Sequence, residues 1–185
     1  MTENGRMGAE PMLRPVTESK TGAAAPRPNH RLFRPENPYV ALGLAVSHLM
    51  TKPAFAVLPF GDWSRILVGQ INRKHYYFVV DGKNQIQGFL GWALTSKDKA
   101  EAWVEGRGGL SHEDSAAGEC LIFNAWTASS LAVNRFLLTE ARRIMEGKDM
   151  IYFKRHYEDG STRPARLRVN DFVAQHVRQI NDAAD

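Results

Sequence analysis

From Asn37 onward, apolar and polar positions alternate in two different rhythms along the chain. Tyr39, Leu42, Leu44, Ala45, Val46 and Leu49 recur at helical spacing behind Pro38, which suits a first helical turn, so a helix is expected over residues 37–50. Pro53 should stop it, and the short apolar run Ala54–Leu58 reads as strand or extended chain. A second amphipathic helix is expected from Asp62, as N-cap, through Trp63, Ile66, Leu67 and Ile71.

Strand rhythm follows. Tyr76, Tyr77, Phe78, Val79 and Val80 are aromatic or β-branched, Asp81-Gly82 opens a turn, and residues 86–94 supply the return strand of a hairpin. Ser96 can cap a short charged helix ending at Val104. The stretch 105–117, with Gly106, Gly108 and Gly109, lacks either rhythm, and no lysine-serine or lysine-threonine signature follows to make it a nucleotide loop. Residues 119–126 predict a third strand, 129–145 a helix and 150–156 a fourth strand. That strand, helix, strand order favours parallel neighbours. Residues 157–164 read as turn and 167–183 as a closing helix.

The first 35 residues differ in kind: Gly, Pro, Ala, Thr, Glu and Arg dominate, with too few apolar residues to offset ordering entropy. The expected organisation is therefore a disordered tail over 1–35 and one α/β domain over 36–185, a mixed central sheet flanked by helices.

Composition narrows function only a little. Of 185 residues, 43% are hydrophobic and 24% charged, a globular balance. The formal charge of +4 favours acidic partners. Cys120 is the single cysteine, so no internal disulfide can form, and it lies in the apolar run Cys120-Leu121-Ile122-Phe123 as a small buried hydrophobe. No zinc-like spacing of cysteine and histidine occurs, and no apolar run is long enough to span a bilayer. With no secretory hydrophobic region, a cytoplasmic location is expected, with no metal, no permanently bound cofactor and no nucleic-acid partner.

Among the six histidines, His48 at the end of the first helix is the best candidate base, since imidazole can take a proton near neutral pH. On spacing alone, capping of its helix or packing in the core is the simpler reading of His48. Asn124 interrupts an apolar strand and shares a face with Trp126 by two-residue alternation. It either fixes local structure or orients a reacting group. Arg142, Arg143, Lys154 and Arg155, with Arg163, Arg166 and Arg168 beyond, form a basic set able to hold a phosphopantetheine phosphate or an acidic carrier protein.

Four short motifs in order, Ser47-His48, Gly91-Trp92-Ala93-Leu94, Phe123-Asn124-Ala125-Trp126-Thr127-Ala128 and Tyr152-Phe153-Lys154-Arg155, carry a resemblance to the toxin-activating lysine acyltransferases, the hemolysin-activating family. It covers the run 37–156. The resemblance implies a GNAT-like acyltransferase fold, a fatty acyl-acyl carrier protein (acyl-ACP) as cosubstrate, an internal lysine of an RTX-type protoxin as acceptor, and a homodimer. It implies His48 as the catalytic histidine and puts Ala125 where the family has its catalytic aspartate. Asn124 and backbone amides are then left to stabilise the oxyanion. Arg142, Arg143, Lys154 and Arg155 would receive the carrier. Two alternatives stand beside it: a coenzyme A-dependent GNAT-type acetyltransferase, and a noncatalytic adaptor that binds a toxin-like protein.

Overall fold

The structure, a computed structural model, describes residues 29–157 and 161–170. The expected tail over 1–28 and the closing helix beyond residue 170 lie outside the described residues.

The first helix, α1 (Pro38–Leu49), begins as its sequence dictates: Asn37 Oδ1 accepts from the backbone amides of Tyr39 and Val40 at 2.9 and 3.3 Å, with Pro38 in the first turn. Ala41, Ala45 and Leu49 recur every four residues and are fully buried. After Pro53 the chain makes a helical turn, α2 (Pro53–Ala56), in place of the extended segment expected over 54–58. The cause is Pro53 itself, whose fixed φ suits a first helical position as well as it ends the previous helix. Then α3 (Phe60–Asn72) starts two residues before the expected cap. Asp62 sits in its first turn, where its charge suits the helix dipole and pairs with Arg65 at 3.3 Å.

Among the described residues one mixed sheet of six strands runs in chain order, from β1 (Arg31–Phe33) through β2 (Tyr76–Val80), β3 (Ile86–Thr95), β4 (Cys120–Ala128) and β5 (Met150–His156) to β6 (Thr162–Arg168). All neighbours are antiparallel except β4 and β5, which are parallel and joined by α5 (Leu131–Met145). The 31–33 segment, assigned by composition to the tail, forms edge strand β1 against β2. The 157–164 turn is shorter than expected, because Thr162, Arg163 and Pro164 already belong to β6. Pro164 is tolerated there because β6 is an edge strand. Leu167 and Arg168 end that strand and do not start a helix.

Both sheet faces are covered by helices, the mixed α/β arrangement expected. Tyr76, Phe78 and Phe89 pack under α1 and α3. On the opposite face Val79, Leu90, Trp92, Leu121 and Phe123 pack under α5. Helix α4 (Lys97–Val104) closes the first face beside β4 and β5 through Ala100 and Val104 over Ala93, Ile122 and Tyr152. Burying each large side chain contributes roughly 1.5–3 kcal/mol.

Candidate functional site

Two departures from regular geometry on β4 build the site. The first is a bulge. Gly91 pairs with Ala125 but Trp92 pairs with Phe123, so Asn124 is an extra residue with no partner on β3. The bulge reverses the alternation expected for this strand. Asn124 faces α3, where its Oδ1 accepts from Gln70 Nε2, while Trp126 faces α5, where its Nε1 donates to Asn134 Oδ1 at 2.8 Å. Asn124 and Trp126 therefore do not share a face. Gln70 is fully buried and lies flat over Gly91, where an added Cβ would fall 2.5 Å from Gln70 Nε2.

The second departure is a splay. Pairing of β4 with β5 ends at Phe123 opposite Phe153, although β4 runs on to Ala128 and β5 to His156. Beyond that point the β5-facing backbone groups of β4 have no strand partner among the described residues. Between the diverging strands opens a largely apolar cleft of about 450 Å³, walled by Phe123, Trp126, Leu138 and Phe153, with Phe55 of α2 and Trp103 of α4 at its sides. Lys154 lines it with its ammonium 4.7 Å from the Trp103 ring centroid, and burial holds its pKa below the ordinary lysine value.

A second cleft, of about 500 Å³, lies on the α3 face. Asp62, Arg65 and Arg73 of α3 form one wall, and Trp103, Ser111, His112 and Ser115 form the other. Asn124 and Trp103 line both clefts, so the two spaces meet at the bulge.

His48 is placed differently. Its half-buried ring sits with Nε2 2.8 Å from Thr127 Oγ1, and the same Oγ1 accepts from the Phe89 amide at 3.0 Å. Burial, reinforced by the charge of Lys52, lowers its pKa to about 4, so the ring is neutral near pH 7. The arrangement that uses the threonine's own proton has Thr127 donating to Nε2, which assigns the ring proton to Nδ1. His48 lines neither cleft. His75, stacked on Trp92 at 5.6 Å between centroids, is also lowered to about 4, chiefly by burial.

The basic set does not gather in one place. Arg142 and Arg143 lie in the last turn of α5, beside residues 147–149 that lead into β5, and Arg143 pairs with Glu140 at 3.3 Å. Lys154 and Arg155 lie in the second half of β5, and of the four only Lys154 lines the splay cleft. Arg166 is committed elsewhere, at 2.8 Å from Glu101 and 2.7 Å from Glu105. Ala125, at the resemblance's aspartate position, is 5% exposed within the apolar cluster of Ala41, Ala45 and Leu49.

Gln70, Arg73, Trp103 and His112 were not singled out from the sequence. Gln70 left a signal, being a polar residue on the same helical stripe as Trp63, Leu67 and Ile71. Arg73 and His112 are brought together only by folding, as a helix C-cap and a residue of an aperiodic loop. Among the described residues no group of three or more histidine, cysteine, aspartate or glutamate side chains is placed to hold a metal, and no helix is long and apolar enough to cross a membrane.

Neither a protein-family model nor a curated protein matches the sequence. Among solved structures, the chain is similar to a histone acetyltransferase HPA2 and related acetyltransferase from Corynebacterium glutamicum, at 14% identity and a TM-score of 0.42 over 72% of this chain and 79% of that one. It is also similar to a GNAT family acetyltransferase from Listeria monocytogenes, at 11% identity and a TM-score of 0.44 over 71% and 78%. A third likeness is to malonyl-CoA decarboxylase from Rhodopseudomonas palustris, at 10% identity and a TM-score of 0.38, covering 70% of this chain and 31% of that one.

Proposed function

We propose that this chain is an N-acyltransferase that takes an acyl thioester of a pantetheine arm in the splay cleft and passes the acyl group to an amine held in the α3-face cleft. One observation carries the reading: an apolar cleft opens between parallel strands that part company, and it joins a polar cleft at the bulged Asn124. A pantetheine arm is a narrow, extended chain with two amides. Such a chain suits a wedge between strands, because the freed backbone groups of β4 can pair with its amides as an added strand would. The apolar walls then exclude water from the thioester.

In the reaction the amine nitrogen attacks the thioester carbonyl carbon, the C–N bond forms, the C–S bond breaks, and the thiol leaves. Negative charge develops on the carbonyl oxygen. Asn124 Nδ2 and the amides of the bulge, at the meeting point of the two clefts, are the donors suited to it. Trp103 forms the shared wall. His48, bonded to Thr127 two residues past Ala125, acts as a positioning residue that fixes β4.

Coenzyme A thioesters fit this reading, since the cleft needs only the pantetheine arm. The finer version suggested by the sequence resemblance is transfer of a fatty acyl group from acyl carrier protein to an internal lysine of an RTX-type protoxin, in the cytoplasm and as a homodimer, with His48 as proton acceptor. Lys154 at the cleft and its neighbour Arg155 would then meet the carrier's acidic surface.

The test is to supply acetyl-CoA, longer acyl-CoAs and acyl-loaded carrier protein with a panel of amines, an RTX-type protoxin included, and to follow thiol release and acceptor mass. Acylated amine with a matching yield of thiol supports the reading. Thioesters left intact with every donor and acceptor sink it.

A further inference from the structure

The α3-face cleft contains a guanidinium without a carboxylate. Arg73, the C-cap of α3, is half-buried, and among the described residues it takes part in no ion pair. Its Nε is buried with no hydrogen-bond partner among them. Burial holds its pKa below the ordinary arginine value. The acid on the same wall, Asp62, is already paired with Arg65.

Two contacts hold the group in position. It folds back over Gly69, where a Cβ would lie 3.1 Å from Nη1 and 3.2 Å from Nη2, so any larger residue there would push the guanidinium aside by a few tenths of an ångström. Its Nη1 lies 2.9 Å from His112 Nδ1 across the cleft. Arginine can only donate, so Nδ1 must accept. A neutral His112 ring then carries its proton on Nε2 and has one donor left for a ligand. A partly desolvated cation and a neighbouring N–H donor on the exposed His112 ring, both lining the cleft that would hold the acceptor, form a site for a carboxylate.

We infer that Arg73 and His112 together bind a carboxylate of the acceptor, so that the substrate is an amine that also carries a carboxylate, such as a free amino acid or a lysine flanked by acidic residues. This rests on the acyltransferase reading for the word acceptor, though the anion site does not depend on it. The acyl transfer is unchanged: the amine attacks, the thiol leaves and takes up the proton the amine loses, and the carboxylate only orients the nucleophile. Arg73 and His112 are therefore binding and positioning residues.

The experiment measures kcat/KM with acetyl-CoA for free amino acids, for their amides and for the matching amines without a carboxylate, in wild type, Arg73→Gln and Arg73→Lys. Lysine peptides with acidic and with neutral flanks form a further arm. Calorimetry with the N-acetylated amino acids and their amides reads binding without turnover. The expected result is a preference of about ten- to hundred-fold for the carboxylate-bearing acceptor. It should be carried by KM, collapse in Arg73→Gln and return in part in Arg73→Lys. A preference confined to the acidic-flanked peptides assigns the carboxylate to a protein substrate and supports the inference. Turnover that ignores both the carboxylate and Arg73→Gln overturns it while leaving the acyltransferase reading intact. Carboxylate binding lost in Arg73→Gln, with no turnover from any thioester, keeps the anion site and overturns the acyltransferase. Absence of both overturns the inference.

Discussion

Gln70 and Asn124 hold each other across the sheet face, with the Gln70 side-chain amide donating to Asn124 Oδ1 at the bulge where the two clefts meet. The fully buried Gln70 also carries an Oε1 with no partner among the described residues. Replacing it by leucine removes an orphaned acceptor and a donor together, and Asn124, half-exposed to the clefts, can turn to water. Stability of Gln70→Leu should therefore stay within about 1 kcal/mol of wild type. Acyl transfer per folded molecule should fall about tenfold, because Asn124 is no longer held. Urea unfolding beside kcat/KM checks the split, and a large stability loss at unchanged turnover would contradict it.

Ala125 stands where the resemblance places a catalytic aspartate, and the fold explains why none is accommodated. The bulge turns Ala125 into the cluster under α1, among Ala41, Ala45 and Leu49, where a carboxylate would be buried against apolar side chains. Ala125→Asp should destabilise the protein by about 3 kcal/mol or more and gain no activity. A stable, more active Ala125→Asp protein would show that the strand register or the role of that position is misassigned.

What the sequence made legible follows from where local chemistry decides structure. Asn37 and Pro38 fixed the start of α1, and the aromatic and β-branched run Tyr76–Val80 fixed a strand. The bulge at Asn124 could not be read, because it depends on the register between β3 and β4, and an unbroken alternation put Asn124 beside Trp126. Strand β6 hid for another reason: Pro164 looks like turn chemistry, and Arg166 is satisfied by Glu101 and Glu105 of a different element. The site suffered most. A stripe residue such as Gln70 carries its own signal, whereas the Arg73 and His112 pair is separated along the chain by a strand hairpin and α4, with no pattern linking its members.

His48 and His75 make stability fall with acid. Each has its pKa lowered from 6.5 to about 4 in the folded protein, first by burial. Between those limits the unfolded chain binds protons that the folded one refuses, so stability declines as pH drops from about 6.5 to about 4, then levels off. Both rings are partly exposed, so after allowance for solvent screening each contributes on the order of 1 kcal/mol. Urea midpoints at pH 7.5, 5.5 and 4.5 should fall in wild type and fall less in His48→Gln. The same shift gives a kinetic discriminator: if His48 takes the amine's proton, its limb in kcat/KM lies near pH 4. A limb near 6.5 that disappears in His48→Gln would show a solvated ring and overturn the burial argument.

Leu138 lines the splay cleft but not the α3-face cleft, and so allows donor binding to be tested without touching Asn124. It lies on α5, one residue past the fully buried Leu137, and is only half-buried because its side chain faces the cleft with Trp126 and Phe153. A larger side chain there can grow into open space without overpacking the sheet, so Leu138→Trp should keep its melting temperature within a few degrees of wild type. Occupying the wedge between β4 and β5 should raise the thioester KM about tenfold or more, with the loss growing along the acyl-CoA series if the acyl chain shares that cleft. The acceptor KM, governed on the other face by Arg73 and His112, should move little. If Leu138→Trp instead raised only the acceptor KM, donor and acceptor would have to exchange clefts, and Asn124 would meet the carbonyl from the opposite side.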